Sequence, residues 1–269
     1  MNTIARTLAA LVAPIALALA ASAPAQEPAG PQAADPSSAP PPVQSAGAFV
    51  LLETSKGRIL LELDPEKAPI SVANFLKYVK DGFYDGTVFH RVVPNFVVQG
   101  GGFDSALVQK RTAAPIKNEW QNGLKNLKGT ISMARLPSPD SATSQFFLNL
   151  KDNPALDGAN GPGYAVFGKI VAGMDVLADM GSVRPVPAEV TDGTGTRRLF
   201  PDVPAERMTL AKATQVDAAQ AAQVIAAAKA DAEAKAAAAR QAAAAAPAAP
   251  AAAPAAEPTP AAPAAPAPK

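Results

Sequence analysis

The two ends of this 269-residue chain are so rich in alanine and proline that a globular core has to come from the residues between them. Residues 26–47 hold almost no large apolar side chain, so burial there cannot offset the entropy lost on ordering. Residues 48–215 mix apolar, charged, aromatic and glycine residues in globular proportions, over enough chain for one hydrophobic core. The sequence therefore predicts one folded domain between low-complexity flanks.

The N-terminus is typical of an export signal. Arg6 precedes the apolar run 8–20, and the small residues 21–25 lead up to Gln26. The apolar run is shorter than the ~20 residues that a membrane-spanning helix needs. We therefore predict a signal peptide over 1–25, cleavage after Ala25, a periplasmic location and no stable membrane insertion after cleavage. The alternative is a retained N-terminal anchor.

The C-terminal flank divides into two parts. Residues 216–246 are alanine-rich with scattered charges, which favours a solvated helix with little apolar stripe. Proline recurs every few alanines in 247–269, which favours an extended, disordered spacer. The alternative is a tether to the cell envelope. Deletion of everything after Gln215 is not expected to change activity.

Composition excludes several classes of function. The chain has no cysteine, which removes disulfides, thiolate nucleophiles and thiolate metal sites. The single histidine, His90, rules out a multi-histidine metal site and leaves one candidate base for a serine triad. A net charge of +1 gives no sign of a nucleic-acid surface.

Short strand-like runs dominate the central region. Two of them, 49–54 and 58–63, flank a Ser-Lys-Gly turn and predict a hairpin. The side chains that fall on one helical face then predict a helix ending near Asp81: Val72, Phe75, Leu76 and Val79. The remaining predicted elements are strands at 88–93, 96–99, 131–134, 146–150, 164–171 and 208–213, and a second helix at 174–180. We predict a mainly β fold, a closed antiparallel barrel.

A polar pair stands out in the segment 89–101. Arg91 lies on one predicted strand and Gln99 on the next, so the two side chains converge beside Phe96 if the strands are antiparallel about Pro94-Asn95. His90 precedes Arg91 and therefore faces the other side of the strand, which favours a structural role over that of a base. The pair thus predicts a polar site beside an apolar wall.

Several ordered motifs lie along the central region, and the one at 144–147 again places an amide next to aromatic residues. They are Phe89-His90-Arg91-Val92-Val93-Pro94-Asn95-Phe96, Gly129-Thr130-Ile131-Ser132-Met133-Ala134-Arg135, Ser144-Gln145-Phe146-Phe147, Leu156-Asp157-Gly158 and Phe167-Gly168-Lys169. In this order, they resemble the signature segments of the cyclophilin family. The segments 118–119, 122–124 and 164–168 resemble its bacterial periplasmic branch. The resemblance extends from about residue 49 to residue 213.

The resemblance implies an eight-stranded barrel capped by two helices, with a proline-binding groove on its outer face. It implies that Arg91 is catalytic and that Gln99 is its hydrogen-bonding companion. The other positions that match substrate-binding residues of the family are Phe96, Val97, Ala134, Arg135, Leu136, Gln145, Phe147, Leu156 and Tyr164. Ala155 stands where many members carry an aromatic residue, so we expect weak cyclosporin binding.

The implied activity is peptidyl-prolyl cis-trans isomerisation in exported proteins, assisting their folding. Arg91 would stabilise the twisted amide at the proline nitrogen, with no metal, cofactor or covalent nucleophile, and the partners would be proline-containing segments bound by a monomer. The main alternative is a non-catalytic chaperone or docking module. A barrel that stores a small ligand would instead have an open interior, and a structural envelope protein would depend on the flanks alone.

Overall fold

The computed structural model describes residues 48–159 and 161–245. The predicted signal peptide, linker and Ala/Pro-rich tail lie outside these residues. The strands are β1 (Ala48–Thr54), β2 (Gly57–Leu63), β3 (Thr87–Phe89), β4 (Arg91–Val93), β5 (Val97–Gly100), β6 (Thr130–Met133), β7 (Phe146–Asn149), β8 (Val166–Ala172), β9 (Pro185–Thr191), β10 (Arg197–Pro204) and β11 (Met208–Val216). The helices are α1 (Pro69–Lys80), α2 (Met174–Ser182) and α3 (Ala218–Ala245), with a short 3-10 helix at Pro154–Asp157.

Antiparallel pairing joins nine strand segments in the order β3-β11-β1-β2-β8-β6-β7-β5-β4. The two edge segments, β3 and β4, are consecutive in the chain and are separated only by His90. The sheet therefore returns to its starting point and forms a nearly closed barrel, with β3 and β4 as two halves of one interrupted strand. Counted in this way, the barrel has eight strands, which confirms the predicted fold class.

The predicted single strand at 88–93 is wrong in one respect, because it is interrupted at His90. β3 pairs with β11 through Phe89 and Met208, whereas β4 pairs with β5 through Arg91 and Gln99. The two segments therefore pair on opposite sides of the seam, and β4 carries Arg91.

Apolar side chains fill the barrel interior. The largest fully buried ones include Leu52, Ile59, Leu61, Phe75, Phe89, Ile131, Phe146, Leu148 and Phe167. Phe75 of α1 contacts Phe146 and Phe167 with ring centroids 5.5 and 5.2 Å apart, so the helix closes one end of the barrel. A filled interior excludes, for the described residues, the barrel that stores a small ligand.

Helix α1 begins at Pro69, a residue favoured in the first helical turn because it has no N–H to leave unbonded. The N–H groups of Ile70 and Ser71 donate to the Glu119 carboxylate at 3.0 and 2.8 Å, which satisfies donors that the helix cannot bond internally. None of the described helices has the length and apolar composition needed to cross a membrane.

Two features departed from the sequence-based expectations. A hairpin of β9 and β10 was not predicted, because prolines at 185, 187, 201 and 204 are unfavourable for strand pairing. Helix α3 is not fully solvated: Ala221 is 1% exposed and packs with Leu60 and Ala172. Alanine side chains are small enough to bring the helix against the barrel without a broad apolar stripe.

This contact leads to a prediction about α3. Truncation after Asp217 keeps β11 complete but exposes the apolar surface around Leu60 and Ala172. We expect the free energy of unfolding to fall by ~2 kcal/mol, and the midpoint of thermal unfolding to fall by roughly 4–8 °C. The isomerase activity implied by the resemblance should stay within about twofold. An unchanged midpoint would show that the packing of α3 contributes nothing to stability.

Candidate active site

Most of the predicted site residues converge on one groove of about 530 Å³ on the outside of the barrel. Its lining residues are Arg91, Phe96, Val97, Gln99, Ala134, Arg135, Phe147, Leu156, Tyr164, Phe200, Pro201 and Asp202. Two predicted residues do not line it. Gln145 lies behind Gln99, and Leu136 is 70% exposed at the rim.

The β4–β5 hairpin brings Arg91 and Gln99 together as the sequence predicted. Their Cα atoms are direct partners in the antiparallel register, and Arg91 Nη1 donates to Gln99 Oε1 at 3.5 Å. The turn between the strands passes through Asn95, whose φ of 56° lies in the left-handed region that asparagine tolerates better than most residues. The guanidinium therefore stands on a short, paired element.

A chain of amides extends behind this pair. Gln99 Nε2 donates to Gln145 Oε1 at 2.9 Å, so each amide orients the next. Gly102 leaves the space that Gln145 occupies: a Cβ on this glycine would lie 2.5 Å from Gln145 Cγ. Gln145 is thus a support for Gln99 and Arg91, a different position from the direct groove contact that the resemblance implied.

The apolar end of the groove is formed by side chains from three parts of the chain. Val97 and Phe147 are 3% and 5% exposed and form its floor. The Tyr164 ring stands edge-on to Phe147 with centroids 5.5 Å apart. Phe96 is tied to the 3-10 helix that carries Leu156, since Asn153 Nδ2 donates to the Phe96 carbonyl at 3.1 Å. This arrangement suits a small apolar ring.

The segment from Ala134 to Leu136 borders the groove on another side. The Ala134 N–H donates to the Gln145 carbonyl at 2.9 Å, and the Leu136 N–H donates to Ser141 Oγ at 2.9 Å. The Arg135 guanidinium lies 4.6 Å from the Tyr164 ring centroid and donates to the carbonyls of Gly163 and Pro162. Arg135 therefore holds the border of the groove in place.

Sequence reasoning missed three residues of the groove, Phe200, Pro201 and Asp202. They belong to β10, which packs beside β4 and faces Arg91. Asp202 Oδ2 lies 3.4 Å from Arg91 Nε. An acidic residue between two prolines gave no periodic signal, and only tertiary packing brings it to the arginine.

His90 is buried, with 1% of its surface exposed, and packs on Phe103 with ring centroids 4.4 Å apart. The pKa of its imidazole is lowered from 6.5 to about 3, mainly by burial and in smaller part by the positive charge of Arg91. The Val88 backbone and the Gln145 side chain act in the opposite direction and offset part of this decrease in pKa. Neither ring nitrogen has a hydrogen-bond partner in the described part of the chain. His90 is therefore a neutral packing residue next to the site.

A second concavity, of about 440 Å³, lies where β2 meets the start of α1. Acidic and basic side chains both line it, and none of the predicted site residues does. Within residues 48–159 and 161–245, no group of three or more histidine, aspartate or glutamate side chains is arranged to hold a metal ion.

Similarity to known proteins identifies the family of the chain that forms this groove. Residues 49–204 match the family model of cyclophilin-type peptidyl-prolyl cis-trans isomerases. The matched residues include every residue that lines the groove.

Curated relatives and a solved structure agree with the family model. Peptidyl-prolyl cis-trans isomerase A of Dickeya dadantii is 55% identical over 156 residues, 58% of this chain and 79% of the relative. Peptidyl-prolyl cis-trans isomerase B of Escherichia coli is 43% identical over 170 residues, 62% of this chain and 98% of the relative. A cyclophilin-type isomerase of Cryptosporidium parvum, crystallised in the presence of the dipeptide Ala-Pro, has the same fold, with a TM-score of 0.51, 22% identity and coverage of 63% of this chain and 99% of its own.

Proposed function

Because this chain belongs to the family of cyclophilin-type peptidyl-prolyl cis-trans isomerases and is such an enzyme, we propose that it accelerates Xaa-Pro bond rotation in exported proteins by stabilising the twisted amide without forming a covalent bond. The observation that supports this mechanism is the position of Arg91. Its guanidinium lines a groove that is also lined by the apolar side chains of Phe96, Val97, Phe147 and Leu156.

The reaction requires the loss of amide resonance and nothing else. Rotation about the Xaa-Pro bond crosses a barrier of ~18–20 kcal/mol, which arises from the partial double bond between carbon and nitrogen. At the top of the barrier the proline nitrogen is pyramidal and has recovered its lone pair. A donor that binds this lone pair therefore stabilises the transition state more than the planar ground state.

Arg91 is the donor for this step. The guanidinium carries N–H groups on three nitrogens, and contacts with Gln99 at Nη1 leave others free to point into the groove. Gln145 holds Gln99, so the donor is oriented before the substrate arrives. A group that is already oriented does not have to reorganise as the transition state forms.

The apolar end of the groove holds the proline ring while the preceding residue rotates. Val97 and Phe147 form the floor against which the ring packs, and Phe96 and Leu156 stand at its sides. An acceleration of about a millionfold corresponds to ~8 kcal/mol of stronger binding in the transition state. Because no covalent bond of the substrate breaks, this mechanism uses no nucleophile, metal or cofactor.

The role in exported proteins is supported by the N-terminal sequence, which lies outside the described residues. The basic residue at Arg6, the apolar run 8–20 and the small residues before Gln26 together favour cleavage by a signal peptidase and transfer to the periplasm. Mass determination of the protein from the periplasm of a bacterial host should give a chain that starts at Gln26. A chain that keeps Met1 would contradict export by cleavage.

The activity is tested by the exchange rate between cis and trans forms of an Ala-Pro peptide, measured by NMR with the chain that starts at Gln26. We expect Phe96→Ala to lower kcat/KM about tenfold, mainly through a higher KM, because Phe96 contacts the proline ring in both ground and transition states.

Leu127→Ala is the matched control, because Leu127 is 51% exposed and lies outside the groove. This variant should retain the unmodified rate. No exchange by the folded, unmodified protein, combined with binding of the peptide, would favour the docking module over the isomerase mechanism.

A further inference from the structure

The β9–β10 hairpin provides one wall of the groove through an irregularity in its pairing. Phe200 pairs with Ala188 and Val203 with Val186, and the register shifts between Phe200 and Val203. The two residues in between, Pro201 and Asp202, stand outside the ladder and line the groove instead. Such bulges redirect side chains near functional sites.

The hairpin is held firmly against the barrel. Val190 and Val203 are buried in a cluster with Val88 and Phe103, and the Phe200 ring stands edge-on to Phe103 with centroids 6.1 Å apart. This packing stabilises the wall from both strands. The position of the bulge is therefore defined before a substrate binds.

Asp202 and Gln99 contact the Arg91 guanidinium at different nitrogens. Asp202 Oδ2 lies 3.4 Å from Nε, whereas Gln99 Oε1 accepts from Nη1 at 3.5 Å. Two contacts at separate nitrogens fix the plane of the guanidinium. A single contact would leave the group free to rotate. The Arg91 and Asp202 side chains are 34% and 32% exposed, so water screens this pair less than it screens a fully exposed pair.

The charges of the groove follow from the same residues. Its charged lining residues are Arg91, Arg135 and Asp202, two cations and one anion. Without the Asp202 carboxylate, the groove would carry two positive charges and no negative one. The carboxylate therefore limits the attraction of the groove for acidic peptides and adds attraction for basic ones.

We propose that Asp202 is the positioning residue for Arg91 and that its charge sets the preference of the enzyme for the residue next to the isomerised proline. Relative to a groove without this carboxylate, binding of acidic neighbours is weakened and binding of basic neighbours is strengthened. This inference rests on the proposed role of Arg91 as the donor to the proline nitrogen.

The test compares two peptides that differ only in the residue after the proline, glutamate in one and lysine in the other. Asp202→Asn should raise the ratio of kcat/KM for the glutamate peptide to that for the lysine peptide by about fivefold or more at low salt, with a smaller change at high salt. For a neutral Ala-Pro peptide, Asp202→Ala should lower kcat about fivefold. Asp202→Asn should lower it less, because it keeps a polar side chain of the same size beside Nε.

Glu189→Gln is the matched control, since it removes a negative charge from the same hairpin at a residue that does not line the groove and pairs with Arg197. It should leave the peptide ratio and the neutral-peptide kcat unchanged. Thermal unfolding midpoints establish that each variant is folded. Asp202→Glu keeps the negative charge but moves it, so this variant should keep the peptide ratio of the unmodified protein.

An unchanged ratio in Asp202→Asn, or an equal change in Glu189→Gln, would overturn the proposal. An unchanged neutral-peptide kcat in Asp202→Ala would overturn the positioning role. Arg91→Ala, measured in the same series, separates these outcomes from failure of the proposed mechanism: if that variant stays active, Arg91 is not the donor. If it is inactive and the ratio does not move, only the role of Asp202 fails.

Discussion

Replacement of Arg91 by alanine is expected to lower kcat/KM for an Ala-Pro peptide by about 100- to 1,000-fold, the loss found when one oriented donor to a transition state is removed. The loss should appear in kcat more than in KM, because the donor binds the lone pair that exists only in the twisted amide. Exchange of the peptide measured by NMR gives both constants without a coupling enzyme.

Two other variants show whether the geometry of the guanidinium matters. Arg91→Lys keeps the positive charge but cannot contact Gln99, Asp202 and the substrate from three nitrogens, so most of the activity should be lost. Arg58→Ala is the matched control, because the Arg58 side chain is 69% exposed on β2 and lies outside the groove. Activity of Arg91→Ala within about threefold of the unmodified rate would contradict the mechanism.

The free energy of unfolding is expected to fall by about 2 kcal/mol between about pH 7 and about pH 5, with His90 as the cause. Burial lowers the pKa of folded His90 from 6.5 to about 3. Below about pH 6.5 the unfolded chain takes up a proton at this residue, whereas the folded protein does not until the pH approaches 3. Acid therefore favours the unfolded state, and the stability from neutral His90 is fully present only above about pH 6.5.

His90 is the single histidine of the chain, and this pH window lies above the ordinary pKa of carboxylates. His90→Phe keeps an aromatic ring against Phe103 and removes the titrating group. Urea unfolding at several pH values should give a stability that declines with acid in the unmodified protein and stays nearly level in the variant. Equal declines in both proteins would assign the effect to groups other than His90.

Much of the fold was predictable because its elements follow local rules. The β1–β2 hairpin turns at Gly57, whose φ of 132° is strained for other residues, and α1 places Val72, Phe75 and Val79 on one buried face. The convergence of Arg91 and Gln99 followed from strand alternation about a short turn. Each of these features depends on residues that are close in the chain.

The features that were missed depend on residues far apart in the chain. The interruption at His90 separates β3, which pairs with β11, from β4, which pairs with β5, and these pairings exist only in the closed barrel. Gln145 bonds to Gln99 from the space above Gly102, and Leu136 is 70% exposed and does not line the groove. The packing of α3 on Leu60 likewise required the barrel surface to be known.

The amino-acid sequence by itself determined most strands and helices of the barrel and the hairpin that carries Arg91, because backbone preference and side-chain alternation act over a few residues. The family followed from the resemblance of its ordered motifs to those of known members. Tertiary structure alone decided that Asp202 meets Arg91 Nε at 3.4 Å, although 110 positions separate them in the chain. Neither residue type nor spacing encodes such a contact. It arises because the apolar cluster of Val88, Phe103, Val190 and Val203 docks the second hairpin beside β4 and its bulge turns the carboxylate toward the groove.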